Sequence, residues 1–406
     1  MSNVSYMEML LDDVDVQWLP LGDIATIYGG LAGKSKSDFD NGTAKYISYK
    51  NIFNNIQVDL NQLELVRVES QERQHLVEYG DVLFTGSSEI ASEAGMSCAV
   101  TTKLDFPVYL NSFSFGVRFR EGVNITPEFS KYLFRSRFMR TEIAKSASGV
   151  TRFNVSKARF KKILIPIPCP NNPEKSLEIQ SEIVRILDAF TSLTAELTAE
   201  LTARKKQYNY YRDKLLSFED GEVEWKPLGE LSENLDSKRK PITSSLREPG
   251  DIPYYGASGI VDYVKDYIFD EDLLLVSEDG ANLLARNTPI AFSISGKTWV
   301  NNHAHVLKFE TYAERKYIEY YLNSIDLTPY ISGAAQPKLN KKNLESISIP
   351  NPSLDEKKRI VATLDKFDAL TNSITEGLPR EIDLRQKQYE YYRDLLLNFP
   401  KSEEAA

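Results

Sequence analysis

The chain has 406 residues, of which 42% are hydrophobic and 11% aromatic, and it carries a formal net charge of −9. The length predicts two to three domains, and the apolar content excludes a wholly disordered chain. The two cysteines, Cys98 and Cys169, exclude a disulfide framework and a zinc site built on cysteines. Because the sequence has neither a signal-peptide pattern nor an apolar run long enough to cross a membrane, we expect a cytoplasmic protein without a membrane partner.

The first predicted globular segment is residues 17–170. It follows an amino-terminal segment, residues 1–16, in which residues 1–15 look like the tail of a helical unit. Alternating and continuous apolar runs predict mixed α and β structure here. The strand candidates are Lys45–Ile52, Asp81–Thr85, Met96–Thr101 and Val108–Phe119.

The end of this segment is strongly basic. Residues 131–162 contain ten Lys or Arg and one acid, Glu142. A smaller cluster, Lys338, Lys341 and Lys342, lies at the matching place in the second half of the chain. The recurrence favours a phosphate-facing surface over scattered solvated charge, although the chain as a whole is acidic.

The central segment, residues 171–223, predicts a long helix. From Ile183 to Phe218 apolar positions recur at alternating steps of four and three, which is the seam of a coiled coil. Within it the sequence TAEL occurs twice in tandem, and the predicted spacer residues there are Thr194, Leu197, Thr198 and Leu201. One more TAEL would lengthen a helix by about 6 Å and turn it by about 40°. One base pair advances B-DNA by about 3.4 Å and about 35°. The tract is therefore predicted to set the distance between two DNA half-sites.

A second globular segment, residues 224–352, again reads as mixed α and β. Its strand candidates are Ile252–Tyr255, Leu273–Val276, Pro289–Ile294 and His303–Phe309. It is followed by a second helical segment, residues 353–406.

The second helical segment has a predicted start and a predicted interruption. Ser353 and Glu356 have the spacing of a capping box. The heptad seam gains four residues between Leu378 and Ile382, beside Gly377 and Pro379, so we expect a kink or a short break there.

The two halves of the chain are versions of one unit. The sequence RKKQYNYYRDKLLSF at Arg204–Phe218 returns as RQKQYEYYRDLLLNF at Arg385–Phe399, and VQWLPLGDI at Val16–Ile24 returns as VEWKPLGEL at Val223–Leu231. Such a long period indicates duplication of a domain with its helix rather than a solenoid. Because the order is circular, we predict an α+β fold: two mixed α/β domains joined by two long antiparallel coiled-coil helices, with circular pseudo-two-fold symmetry.

Two anchors align the globular segments without gaps. Asn111–Phe119 matches Asn301–Phe309, and Ser148–Ser156 matches Ser332–Asn340. Elsewhere the two segments differ greatly. Similar scaffolds with dissimilar loops indicate one task performed on two different targets.

This order of motifs resembles the specificity subunits of type I restriction–modification systems, and the TAEL and QYxYYRD helices look like the subfamily called IC. The resemblance covers essentially the whole chain and is strongest in the helices. It implies that residues 17–170 and 224–352 are target recognition domains, each reading one half of an asymmetric, bipartite site in double-stranded DNA. It also implies that the helices dock two modification (methyltransferase) subunits, and through them restriction (translocase–nuclease) subunits. No catalysis and no cofactor are implied for this chain.

Candidate DNA contacts follow from side-chain chemistry, since Arg and Lys read guanine and Asn and Gln read adenine, whereas phosphates need only donors. In the first half we select a loop with Thr151, Arg152, Asn154, Lys157 and Arg159, then Tyr49, Lys50 and Asn51, and the turn Gly86–Glu89 with Ser87 and Ser88. In the second half the counterparts are Gln336, Lys338, Asn340 and Lys341, then Tyr255, Gly256, Ala257 and Ser258, and the turn Ser277–Asn282. The phosphate candidates on a predicted helix are Arg135, Arg137 and Arg140.

Other chemistry is weakly indicated. The sequence GGLAGKS at Gly29–Ser35 lacks the first glycine of a phosphate-binding loop, since Tyr28 stands there. His303 and His305 are better explained as strand residues than as metal ligands, so no metal site is predicted. Two alternatives stay open: a scaffold with two protein-binding domains on a helical spacer, which the overall acidity favours, and an enzyme, which should respond to nucleotide.

Overall fold

The computed structural model describes residues 10, 14–40, 42–219, 221–285, 289–333 and 336–400. The chain divides into two compact units: unit 1 comprises Met1–Glu196 with Ile382–Ala406, and unit 2 comprises Leu197–Glu381. Each unit therefore combines one globular segment with parts of both helical segments. The predicted helical tail in residues 1–15 lies largely outside the described residues.

The elements are given in chain order. Up to the long helix they are β1 (Val16–Pro20), α1 (Leu21–Ile24), β2 (Ala25–Gly29), α2 (Ser37–Asp40), β3 (Ala44–Ile47), α3 (Tyr49–Asn54), β4 (Glu64–Val66), β5 (Val82–Thr85), β6 (Ser87–Ser88), β7 (Ser97–Ala99), β8 (Val108–Leu110), β9 (Ser114–Phe119), α4 (Pro127–Leu133), α5 (Arg137–Ser146), β10 (Ala147–Ser148), β11 (Phe153–Val155), α6 (Lys157–Phe160), β12 (Leu164–Pro168) and α7 (Pro173–Leu216). After it come β13 (Glu224–Pro227), α8 (Leu228–Leu231), β14 (Glu233–Asn234), β15 (Pro249–Gly256), β16 (Gly259–Val264), β17 (Phe269–Asp270), β18 (Leu273–Ser277), α9 (Gly280–Ala285), β19 (Ala291–Ile294), β20 (Lys297–Val300), β21 (Ala304–Lys308), α10 (Tyr312–Ser324), α11 (Lys341–Glu345), β22 (Ser348–Asn351), α12 (Leu354–Thr371) and α13 (Gly377–Leu396). Short 3-10 turns lie at Leu60–Gln62, Ala91–Glu93, Asp236–Lys238, Ser244–Leu246 and Thr328–Tyr330.

The two units repeat one sheet plan. Unit 1 has a four-stranded antiparallel sheet in the order β2-β9-β5-β7, and unit 2 has its equivalent, β14-β21-β18-β19. A second sheet contains one parallel pair in each unit, β3 with β8 and β15 with β20. The predicted α+β class and the duplication are thus confirmed.

A two-stranded sheet closes each globular segment with the motifs that the sequence repeats. β1 pairs with β12, so that Trp18 lies opposite Pro166, and β13 pairs with β22, so that Trp225 lies opposite Pro350. These short sheets carry the chain into the helical segments α7 and α12.

The long helix α7 is continuous over 44 residues. Thr194, Leu197 and Leu201 are partly buried while Thr198 is exposed, which follows the predicted seam. The boundary between the two units falls between Glu196 and Leu197, inside the TAEL tract.

Equivalent side chains pair across the helices within each unit. In unit 1 Phe190 of α7 stacks on Tyr392 of α13, with ring centroids 5.3 Å apart. In unit 2 Tyr211 of α7 stacks on Phe367 of α12 at 5.7 Å. In unit 1 the phenylalanine belongs to α7 and the tyrosine to α13, whereas in unit 2 the tyrosine belongs to α7 and the phenylalanine to α12.

A buried tyrosine ties each globular segment to a helix at an equivalent aspartate. The Tyr132 hydroxyl donates to Asp188 Oδ1 at 2.5 Å in unit 1, and the Tyr320 hydroxyl donates to Asp365 Oδ1 at 2.6 Å in unit 2. Burial, reinforced by the carboxylate, raises the pKa of both tyrosines far above the usual range.

Two of the predicted strands were drawn too long. The predicted strand Lys45–Ile52 ends at Ile47, and helix α3 begins at Tyr49. The predicted strand Val108–Phe119 is two strands, because the Asn111 side chain accepts a hydrogen bond from the Phe113 backbone N–H and makes a turn between them.

The start and the interruption of the second helical segment were placed almost correctly. Ser353 caps α12 by accepting from the Glu356 backbone N–H. The break follows Thr371 and ends at Gly377, just before the predicted position. Gly377 has φ of +73°, and a Cβ there would lie 2.3 Å from the Ala369 carbonyl oxygen, so glycine is required at this bend.

Candidate nucleic-acid interface

The tip of the β10–β11 hairpin in unit 1 exposes a group of the predicted contact residues. At the tip, Gly149 approaches the Arg152 carbonyl oxygen so closely that a Cβ would lie 1.9 Å from it, so only glycine fits. The exposed side chains on the hairpin and on α6 include the predicted contacts Thr151, Arg152, Asn154, Lys157 and Arg159. These donors and cations stand in solvent, where a duplex can reach them.

Two open concavities lie beside this tip. The first has a volume of about 530 Å³ and is lined in part by Tyr49, Ser87, Ser88 and Arg152, which come from three separate predicted patches. The second, of about 580 Å³, shares Tyr49 with the first and adds Lys50. The fold therefore brings residues from all three of these predicted patches to one surface of unit 1.

Hydrogen bonds fix the wall of the first concavity. The Arg152 Nε donates to Ser87 Oγ at 2.9 Å, and the Tyr49 hydroxyl donates to the Ser87 carbonyl oxygen at 2.9 Å. Ser87 is itself buried, so it orients the other two residues rather than meeting a ligand directly. The concavity also contains Glu89 and Glu93, whose carboxylates suit the amino group of cytosine.

Phe113 lies between the two concavities and was not among the selected residues. Its side chain is 65% exposed, lines both concavities, and sits 5.9 Å from the Arg152 guanidinium. The sequence placed Phe113 inside the predicted strand Val108–Phe119. The signal that could have found it is the Asn-x-aromatic turn at the start of the aligned anchor, Asn111–Phe113.

Unit 2 repeats, at the aligned positions, the strand pairing and the close glycine contact described for unit 1. We call this shared backbone arrangement the frame. In unit 1 Ser148 pairs with Asn154, and Asn154 pairs with Ser87. In unit 2 Ser332 pairs with Lys338, and Lys338 pairs with Asp279. The aligned glycine also recurs, because a Cβ at Gly333 would lie 2.7 Å from the Gln336 carbonyl oxygen.

The frame of unit 2 presents different side chains. Gln336, the counterpart of Arg152, is exposed. Lys338 Nζ lies 3.3 Å from Glu278, and Lys341 Nζ lies 3.6 Å from Glu345, so the small basic cluster is partly neutralised. Asn340 is exposed, but its Oδ1 accepts from the Asn343 backbone N–H and caps α11.

The other predicted residues of unit 2 form the turn of the β15–β16 hairpin. Gly256 and Ala257 are buried, Tyr255 is half-buried and Ser258 is exposed. Of this group Ser258 is the residue best placed for a ligand. In the turn Ser277–Asn282 the carboxylates of Glu278 and Asp279 pair with Arg239 and His303, and the Asn282 side chain lies outside the described residues.

Three predicted contacts are wrong, because their polar groups are used inside unit 1. The Arg135 guanidinium donates to the carbonyl oxygens of Ser97, Ile52, Phe53 and Asn55. The Arg140 guanidinium donates to those of Gly95, Ser92 and Ala94. Burial lowers the pKa of each arginine to about 10.

Asn51 is the third of these corrections. It is 1% exposed, and its side chain is bonded to the backbone of Asp59 in both directions. Arg137, by contrast, is exposed at the start of α5 and stays a phosphate candidate.

The residues considered for other chemistry have structural contacts. His305 is buried between Asp236 and the Leu339 carbonyl oxygen, at 2.6 Å from each. Lys34 of the loop Gly29–Ser35 pairs with Glu72 at 2.6 Å. Within the part of the chain that the structure describes, no group of three or more His, Cys, Asp or Glu is arranged to hold a metal ion. The same described residues include no helix apolar and long enough to cross a membrane.

Comparison with known proteins identifies consistent relatives. The family model described as "Type I restriction modification DNA specificity domain" matches residues 13–204 and 221–384. The chain is 38% identical over 432 residues to the EcoR124I/EcoR124II type I restriction enzyme specificity subunit from Escherichia coli, with 99% of each chain covered. It is 36% identical over 388 residues to the EcoprrI specificity subunit from Escherichia coli, with 93% of each covered. The type I restriction–modification S subunit from M. genitalium has the same fold, with a TM-score of 0.55 at 16% identity over 96% of this chain and 98% of that one.

Proposed function

The chain belongs to the type I restriction–modification specificity-subunit family and is a DNA specificity subunit with two recognition domains; from that premise we propose that each domain reads one half of an asymmetric, bipartite site. Unit 1 reads one half-site and unit 2 the other. The chain supplies recognition, while catalysis belongs to its partner subunits.

This proposal depends on one observation: the two units share a backbone frame but expose different side chains on it. Both units set a glycine against a carbonyl oxygen beside the same strand pairing. On it unit 1 exposes Arg152 where unit 2 exposes Gln336. Arginine suits guanine and glutamine suits adenine in the major groove, so the two half-sites are expected to differ in sequence.

Base reading and phosphate contact are assigned to different residues. In unit 1 Arg152 and Asn154 read bases, while Arg137, Lys157 and Arg159 are exposed cations suited to phosphate. Tyr49 and Lys50 border the concavities beside them. In unit 2 Gln336 and Ser258 read bases. Lys338 and Lys341 contact phosphates once they have given up their ion pairs with Glu278 and Glu345.

The helices carry the remaining roles. We assign half-site spacing to the TAEL tract, which the boundary between the units supports by falling inside it. The duplicated QYxYYRD helices are expected to dock two modification subunits, one per copy, with restriction subunits bound through them. The TAEL tandem repeat supports an assignment of the chain to the IC-like subfamily.

The direct test is methylation mapping of DNA modified by the complete complex of this chain with its modification subunits, using sequencing that reports N6-methyladenine. We expect one motif, made of two unlike short half-sites separated by an unspecified gap. A motif with a single uninterrupted core would refute the bipartite reading.

A gel-shift titration separates this function from a protein scaffold. The assembled complex on random-sequence duplex should bind with an affinity that falls steeply as salt rises, because lysine and arginine release counterions from phosphates. A scaffold without DNA contact would give no such binding at any salt concentration.

A further inference from the structure

We propose that Phe113 and His303 occupy one equivalent base-reading position, present once in each unit. The inference rests on the proposed function and deepens it, because it names a specificity residue in each recognition domain and the base chemistry that each accepts. Neither residue was selected as a DNA contact from the sequence, since Phe113 is apolar and His303 was assigned to a predicted strand.

The backbone of the two residues is held identically. The Phe113 N–H donates to Asn111 Oδ1 at 3.0 Å, and its carbonyl oxygen accepts from the Gly86 N–H at 2.7 Å. The His303 N–H donates to Asn301 Oδ1 at 2.8 Å, and its carbonyl oxygen accepts from the Glu278 N–H at 2.9 Å.

The residues that hold this backbone also connect it to the hairpin. The Gly86 carbonyl oxygen accepts from the Val155 N–H, and the Glu278 carbonyl oxygen accepts from the Leu339 N–H. The buried asparagines Asn111 and Asn301 thus fix the backbone of the turn, while the side chain that follows two residues later is left to vary.

The Phe113 side chain faces solvent between the two concavities, 65% exposed. An exposed ring of this size in contact with an arginine guanidinium is suited to an apolar partner. In the major groove the apolar feature is the C5-methyl group of thymine. Phe113 is therefore assigned to a thymine next to the base read by Arg152.

The His303 side chain is half exposed, and its Nδ1 lies 3.2 Å from Asp279 Oδ1. In the tautomer whose Nδ1–H donates to this carboxylate, Nε2 is the acceptor. An acceptor in the major groove matches the exocyclic amino group of adenine or cytosine. His303 is therefore assigned to an amino-bearing base in the second half-site.

The test exchanges the two side chains in the complete modification complex. The frame of unit 2 already accommodates a histidine at this position, and the frame of unit 1 a phenylalanine. The variants Phe113→His and His303→Phe are therefore expected to fold. Mapping of N6-methyladenine should show that Phe113→His lowers the preference for thymine at one position of one half-site by about 5- to 150-fold. His303→Phe should do the same for the amino-bearing base in the other half-site, while each variant leaves the opposite half-site and the gap unchanged. The conservative variant Phe113→Leu keeps an apolar contact and should keep the thymine.

Matched controls are Phe106→Ala in unit 1 and Tyr267→Ala in unit 2, both exposed aromatic residues outside the two frames. They should leave the motif unchanged. If the wild-type complex methylates a bipartite motif and both exchange variants retain it at every position, the inference is overturned while the proposed function stands. If the wild-type complex methylates no bipartite motif, the proposed function itself fails.

Discussion

Individual arginines on one short stretch of chain have opposite roles. Arg135 and Arg137 are two positions apart, yet Arg135 holds four carbonyl oxygens of unit 1 and Arg137 is exposed. Charge alone predicted both as phosphate contacts. The difference between them is set by tertiary structure. The carbonyl oxygens that Arg135 binds come from residues 52–55 and from Ser97, and no local sequence pattern reveals that these residues lie close to Arg135.

Replacement of these two arginines tests the distinction. Arg135→Gln should lower the free energy of unfolding by about 1–3 kcal/mol or more, because it leaves buried carbonyl oxygens without donors. Arg137→Gln, the matched control, should leave stability within about 0.5 kcal/mol and should reduce the salt dependence of DNA binding. Denaturant unfolding and a salt titration measure both. Equal stability of the two variants would contradict the assignment.

The hairpin tip shows how far residue-level prediction reached. The polar and basic residues selected between Thr151 and Arg159 are exposed, but they lie on the β10–β11 hairpin and on α6 rather than in one loop. The ungapped alignment located the counterpart of this stretch in unit 2. Asn51 and Ser87 were selected for polarity alone, and both are buried. Phe113 was missed because it lay inside the predicted strand Val108–Phe119, which the Asn111 turn interrupts.

Among the elements, the helices were the most predictable part. A heptad seam depends on spacing within one segment, so α7 could be anticipated from sequence. The strand Lys45–Ile52 could not be bounded, because Tyr49–Asn54 is a short helix held by tertiary contacts such as the Arg135 bonds to its carbonyl oxygens.

The duplicated tyrosine–aspartate bond gives a prediction for how a globular segment is attached to its helix. Tyr132→Phe and Tyr320→Phe each remove one hydrogen bond to a carboxylate, so each should cost about 1.5–3 kcal/mol of stability. Tyr312→Phe is the control, since its hydroxyl also donates to Asp365 but the residue is exposed, and its cost should be smaller. Thermal unfolding of the three variants measures this. A larger loss for Tyr312→Phe than for Tyr320→Phe would contradict the account.

The spacer hypothesis gives a second element-scale prediction. Inserting a third TAEL adds about 6 Å and about 40° to α7, so the gap of the methylated motif should lengthen while both half-sites stay unchanged. Thr198→Ala, which alters the same exposed stretch without changing its length, is the control and should keep the gap. Methylation mapping reads out both. An unchanged gap after the insertion would remove the hypothesis.

For the whole molecule, circular order is the property that the sequence conveyed best. Unit 1 is completed by residues from the other end of the chain, within Ile382–Ala406, whereas unit 2 is the continuous stretch Leu197–Glu381, which begins with the second half of α7. Repeated motifs could reveal this, because they are long and nearly identical. The backbone arrangement that the two units share around the proposed base-reading residues could not be derived from the sequence. Its hydrogen bonds join short segments that lie far apart in each half of the chain.

The central claim is that two equivalent frames read two unlike half-sites, and one measurement tests it most directly. Replacing residues 224–352 by a second copy of residues 17–170 gives both units the same recognition domain. Methylation mapping of the resulting complex should return an inverted repeat of the first half-site, with the second half-site lost. Retention of the original asymmetric motif, or a motif containing neither half-site, would contradict the account.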